Sequence, residues 1–227
     1  EIRPRDWSSD VCSSDLSAGF SIVSWTGTGS GSATIGHGLG VKPSLIIVKK
    51  RNSAGPWYTQ HGALGAGQIA YLNTTDAFGA TSGWNSTEPT STVFSLGTAI
   101  NDANTYVAYC WAPLVGYSSF GSYTGNGSAD GPLVYTGFRP AFVMIKGTSF
   151  VSNWFIQDDM RNGYNVNSGV ALRPNLSNAE DGTTTYDIDL LSNGFKLRTA
   201  AGDANSSGQT FVWAAFARSP FSIARAR

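Results

Sequence analysis

The chain is short of charge, of cysteine and of histidine, and no stretch of ten residues carries a helical 3.6 period. Charged residues make up 13% of its 227 positions, 15 basic against 15 acidic. That balance, with no basic block, excludes nucleic acid and an anionic membrane as expected partners. No apolar run approaches the length of a membrane span. The two histidines, His37 and His61, have no partner at metal-ligand spacing, so no zinc site is expected. Cys110 lies in an apolar segment and reads as a buried, inert thiol. A Gly-x-Ser-x-Gly elbow, a P-loop and a dinucleotide fingerprint are all missing. The expectation is therefore no metal, no cofactor and no catalytic residue.

What is present is glycine, 27 residues, and aromatics, 12% of the chain. Short apolar or alternating runs recur between Gly, Ser, Asn and Pro clusters. In the first half they fall at 20–26, 44–50, 57–61, 68–73, 92–96 and 105–112. Many short strands separated by turn signals predict an all-β protein, a sandwich or barrel.

One of these strands is written twice. Residues 41–49 read VKPSLIIVK and residues 138–146 read FRPAFVMIK, 97 positions later. The echo extends in both directions. Residues 25–30 (WTGTGS) match 123–128 (YTGNGS), and 57–60 (WYTQ) match 154–157 (WFIQ). Phe94-Ser95-Leu96 matches Phe195-Lys196-Leu197, and Asp102-Ala103-Asn104 matches Asp203-Ala204-Asn205. Thr105-Tyr106-Val107 and Trp111-Ala112 match Thr210-Phe211-Val212 and Phe216-Ala217. Blocks kept in one order point to duplication of a unit of about one hundred residues. The expected architecture is two tandem β-sandwich repeats, jelly-roll or Ig-like, at 19–115 and 116–227, which either share one core or hold one each.

Residues 1–16, EIRPRDWSSDVCSSDL, do not belong to this pattern. They are polar and acidic, with neither the basic start nor the apolar centre of a signal peptide. Back-translated, 5–16 resembles the reading frame of a short-read sequencing adapter. Residues 1–18 are therefore expected to be a non-native or disordered leader. Without that segment's two Arg and four acids, 13 basic and 11 acidic residues remain.

The aromatics that recur between copies, Trp25/Tyr123, Trp57/Trp154, Tyr58/Phe155 and Trp111/Phe216, read first as core. Carboxylate pairs are weak candidates for glycosidase chemistry. Asp158 and Asp159 are adjacent and so point to opposite faces of a strand, while Asp187 and Asp189 share a face. The duplicated Asp-Ala-Asn supplies too few oxygens for calcium and reads as an Asx turn. The Asn-x-Ser/Thr sites at Asn73, Asn85, Asn126, Asn175 and Asn205 also read as turn chemistry.

Several long stretches carry a family resemblance. They are GFSIVSWTGTGSGSATIGHGLGVKPSLIIVK, WNSTEPTSTVFSLG, YVAYCWAP, GYSSFGSYTGNGSADGPLVYTGFRPAFVMIK, NWFIQD, LRPNLSNAED and LLSNGFKLR. Together they resemble an uncharacterised domain found towards the end of structural proteins of marine tailed bacteriophages. The resemblance covers nearly everything from Ala18 to Arg227 and brings no catalytic or binding residues with it. It implies a virion-surface, extracellular setting and other virion proteins as partners. It also implies a homotrimer in the full-length protein, because fibre proteins are commonly trimers. The expected function is a non-enzymatic, tail-fibre-like module that binds host cell-surface glycans. The alternatives are a glycan-cleaving depolymerase and a secreted bacterial lectin. Recognition usually resides in loops held by a rigid scaffold, which singles out Trp84 in the first long loop and Asp159, Arg161 and Tyr164 in the second.

Overall fold

The computed structural model describes residues 11–15, 17–161, 170–180 and 187–218. It is all-β, built of antiparallel sheets. In the first half the strands are β1 (Val11–Asp15), β2 (Phe20–Thr26), β3 (Ala33–Gly36), β4 (Leu45–Lys50), β5 (Trp57–His61), β6 (Gln68–Tyr71), β7 (Gly79–Ala80), β8 (Val93–Leu96) and β9 (Thr105–Trp111). The second half holds β10 (Ser118–Thr124), β11 (Leu133–Tyr135), β12 (Phe142–Gly147), β13 (Phe155–Asp158), β14 (Ile188–Leu191), β15 (Gly194–Leu197) and β16 (Thr210–Phe216). One sheet runs β1-β2-β9-β4-β5-β6-β7 and another β10-β16-β12-β13, while β3 pairs with β8 and β11-β15-β14 form the fourth sheet.

The run Leu45-Ile46-Ile47-Val48 is apolar without alternation because both faces of β4 are covered. Ile46 and Val48 point into a cluster with Trp25, Phe94 and Tyr106, closed by the β3–β8 pair. Leu45 and Ile47 point the other way, into a cluster shared with Met144, Trp154, Val212 and Ala214 of the second half. A third cluster, with Phe155, Phe195, Phe211 and Trp213, lies under β11, β14 and β15. Period-2 side-chain geometry turns one buried strand into a contact between two cores. The open choice between one core and two resolves as one apolar cluster in each half and a third between them.

The central strand order β2-β9-β4-β5 has its counterpart in β10-β16-β12-β13. Trp25 stacks on Tyr106 at 5.1 Å and 9°, and Tyr123 on Phe211 at 5.1 Å and 10°. The turn after each first strand is held by a buried asparagine. Asn101 accepts from the Thr28 N–H and donates to the Ser30 carbonyl, and Asn205 accepts from the Asn126 N–H and donates to the Ser128 carbonyl. The partner of Asn205 is thus Asn101 rather than Asn104, which the Asp-Ala-Asn match puts there. Asn104 instead donates to Asp102. Both turns need glycine, since a Cβ on Gly27 would lie 1.8 Å from the Asp102 carbonyl oxygen and one on Gly125 2.3 Å from that of Ser206.

The leader expected to stay outside the fold contributes β1, which pairs antiparallel with β2 from Val11↔Ser24 to Asp15↔Phe20. The sequence patterns also left out β3, four residues in a Gly/Ser-rich stretch, and β11, three residues whose outward positions Leu133 and Tyr135 are exposed.

Candidate functional site

The two halves meet across polar as well as apolar contacts. Two hairpins carry the same device, a lysine at the end of the repeated strand whose ammonium reaches the carbonyl six residues on. Lys49 donates to the Gly55 carbonyl at 2.7 Å and Lys146 to that of Ser152 at 2.6 Å. Lys49 is half-buried beside the Trp57 ring. Lys146 is wholly buried, because the first half covers it, and it donates also to Ser152 Oγ and to the Thr75 carbonyl across the seam. Burial brings its pKa down to about 8, against the pull of Asp203 and Asp76.

His61 closes the seam from the other side. Its Nε2–H donates to the Trp213 carbonyl at 3.0 Å, and its Nδ1 accepts from the Ala63 N–H at 3.2 Å. That arrangement uses the neutral ring, and burial holds its pKa down at about 4, with the Trp213 carbonyl opposing. Trp154 Nε1–H donates to the Tyr71 carbonyl at 2.9 Å, a further bond between the halves.

At one end of the seam the sheets diverge and leave an aromatic cleft of about 330 Å³, lined by Ala18, Phe20, Trp111, Tyr117, Phe142 and Phe216. Its position follows from strand ends. Phe20 opens β2 and Trp111 closes β9, opposite each other in register. Phe142 opens β12 and Phe216 closes β16, likewise paired. The rings brace one another, Phe20 against Trp111 at 5.1 Å, Phe216 against Phe142 at 5.8 Å, and Trp111 edge-on to Phe216 at 6.5 Å across the cleft. All are partly exposed. Large rings that meet solvent at one edge suit the apolar face of a ligand.

The next residue along the Phe216–Phe142 row is Asp158, paired with Phe142 across β12 and β13. His61 holds the corresponding place beside Leu45. One position thus carries a neutral, buried ring in the first half and a carboxylate at the cleft's edge in the second. Asp158 accepts from the Met160 and Arg161 N–H groups through Oδ1 and pairs with Arg161 Nε through Oδ2 at 3.0 Å. Arg161 reaches on to Glu180 at 3.1 Å.

The four residues singled out from sequence do not form one group. Trp84 is 1% exposed and packs edge-on to Phe94 in the first core, so its ring offers no face to a ligand. Asp159 is buried and holds Arg218 at 2.7 Å. Arg161 takes part in the ion pairs beside the cleft, and Tyr164 lies outside the described residues. Three of the four carboxylates weighed for catalysis are engaged in the same way, Asp158 with Arg161, Asp159 with Arg218, and Asp189 with Arg198 at 2.5 Å. Among the described residues no group of three or more His, Cys, Asp and Glu side chains is placed to hold a metal ion. The core reading of Trp111 and Phe216 holds on one side, where both rings pack against the seam cluster, but it did not disclose the cleft that their exposed edges line. The available signal was parity: Trp111 and Tyr109 lie on the strand face opposite the buried Ala108 and Cys110.

A family described as Domain of unknown function (DUF7483) matches residues 6–220. The chain belongs to this family. The DUF7483 match spans both halves, the seam and the cleft between them, and takes in the β1 segment as well. No curated protein and no solved structure matches the chain.

Proposed function

We propose that the protein is a non-enzymatic structural module of a phage virion, tail-fibre-like, which binds a host surface glycan in the aromatic cleft. The observation that carries this reading is the cleft itself, with Trp111, Phe20 and Phe142 as stacking surfaces and Asp158 and Arg161 beside it to accept from and donate to sugar hydroxyls. The fold reading that goes with it is two tandem β-sandwich repeats derived by duplication. The matched strand order, the two Asn-held turns and the two lysine-capped hairpins support it. Virion-surface placement rests on the resemblance of the long sequence stretches to phage structural proteins.

A glycan array followed by calorimetry on the best ligand tests the cleft. Trp111→Ala is expected to weaken binding by about tenfold or more, the loss typical of a central aromatic anchor. Trp84→Phe, a change inside the first core, is expected to leave affinity unchanged. A blank array, or equal affinity for Trp111→Ala and the parent, would remove the glycan reading.

A further inference from the structure

The outer edges of the two large sheets are unequal. Beside β2 lies β1, and the outward-facing residues Phe20, Ile22 and Ser24 pair with Asp15, Ser13 and Val11. The corresponding strand of the second half, β10, stands at the end of its sheet, and among the described residues no strand lies beside it. Its bonding parity is set at both ends of the ladder with β16. Ala217 N–H donates to the Tyr117 carbonyl and Gly125 N–H to that of Gln209, so odd-numbered residues face β16 and even-numbered ones face outward. Of the outward residues, Ser118 is taken by a turn, bonded both ways to Leu114. Phe120, Ser122 and Thr124 remain, each offering one N–H and one C=O along the edge.

Open edges in soluble proteins are ordinarily blunted by lysine, proline, a bulge or a cover. The β10 sequence, Ser-Ser-Phe-Gly-Ser-Tyr-Thr, holds no charge and no proline, and its seven pairs with β16 run without a bulge. The three free residues are symmetric about Ser122. An antiparallel partner with the same three residues therefore satisfies every one of these groups when Ser122 faces Ser122, Phe120 faces Thr124 and Thr124 faces Phe120. Phe120 against Thr124 is an aromatic–β-branched cross-strand pair, a favourable kind. Space exists on the face where Phe120 points: a groove of about 390 Å³ lined by Lys42, Pro43, Ser44, Gly62, Ala63 and Phe120.

We infer that β10 is a self-docking edge, through which two copies of this chain join β10 to β10 around a two-fold axis at Ser122 and merge two four-stranded sheets into one of eight. The occupant is a second copy because the edge complements itself in bonding pattern, and because it carries no charge to repel its own image. The contact is two-fold and so distinct from a three-fold fibre axis.

Sedimentation equilibrium of the full chain over about 1–300 µM tests this, a range that spans weak to moderate self-association. A monomer–dimer equilibrium is expected. Ser122→Lys sets like charges opposite each other and is expected to raise the dimer dissociation constant by tenfold or more. Thr124→Lys, at an exposed position, sets a lysine against Phe120 of the other copy and is expected to raise the constant as well, should the first variant be poorly folded by circular dichroism. In hydrogen exchange, the amides of Phe120, Ser122 and Thr124 are expected to gain protection as concentration rises, while those of Ser119 and Gly121 stay protected throughout. A parent that is monomeric or trimeric across the range, or a dimer that neither lysine variant weakens, would overturn the inference.

Discussion

Trp154→Ala is expected to destabilise the protein by about 3–5 kcal/mol, and Trp57→Ala by a third of that or less, although the two tryptophans hold the same place in the repeated pattern. Both carry the same local bond, the Trp57 N–H to Asn73 Oδ1 at 2.8 Å and the Trp154 N–H to Asn175 Oδ1 at 2.9 Å. Their rings differ. Trp57 is half-buried at the margin of the seam, under the Lys49 ammonium. Trp154 is 2% exposed, packs against Phe78 of the other half and donates its indole N–H to Tyr71. Truncation at 154 opens a cavity between the halves and removes one of the two donors to the part-buried Tyr71 carbonyl, which keeps only the Thr74 N–H, and each loss adds to the cost. Urea midpoints and m-values for the two variants make the comparison. Equal losses would mean that the seam does not hold the halves together as described. A reduced m-value for Trp154→Ala alone would show the halves unfolding separately.

The second large effect is on acid stability. His61 has its proton affinity lowered by burial from 6.5 to about 4. Above pH 6.5 the ring is neutral in both folded and unfolded chains, and its contribution is fully present. As pH falls from 6.5 towards 4, the unfolded chain takes up a proton that the folded chain refuses, so stability falls. Below about 4 the folded ring is protonated too and the loss levels off. A shift of this size corresponds to about 3 kcal/mol. His37, buried with its pKa also lowered, adds to the slope in the same direction. Asp102, held down at about 2 by Lys50, Tyr106 and Asn104, acts in a lower window and is largely exposed, so it contributes little between pH 6.5 and 4. Unfolding free energy measured from pH 7.5 to 4.5 is expected to drop for the parent and to drop much less for His61→Gln. The slope is the readout, so a lower absolute stability of the variant does not confuse it. Parallel slopes would mean that His61 is not the responsible group.

Much of the scaffold is legible in the sequence because its signals are local. The strands β2 and β5 fall on the expected 20–26 and 57–61, where alternation and aromatic content agree. The short apolar run of β4 falls within the expected strand at 44–50, and the structure covers it on both faces. Other features depend on what the chain meets in space. Trp84 sits in a polar stretch that reads as an exposed loop, yet the Gly97 N–H bonds the Gly83 carbonyl and draws that stretch along β8, which buries the ring. Asn101, rather than Asn104, holds the turn that corresponds to the one at Asn205, and a difference of three residues is invisible until hydrogen bonds assign the partner. The cleft arises where two strand ends of one half meet two of the other, and no linear pattern records that meeting. Asp158 and Arg161 are close in sequence and so were visible, but their place beside Phe142 comes from sheet register.

The strand that completes each large sheet is the last one of its half to be made. β9 lies between β2 and β4, and β16 between β10 and β12, so in both cases the two flanking strands wait for a central partner about 55 or more residues later. During synthesis the first half cannot close until Trp111 has emerged, and the second cannot close until Phe216 has. Such long-range closure slows folding and leaves unpaired edges exposed meanwhile. A chain cut before Thr210 would therefore lose more than β16: β10 and β12 would have nothing between them, and Leu45 and Ile47 of β4 would lose the cover of Val212 and Ala214.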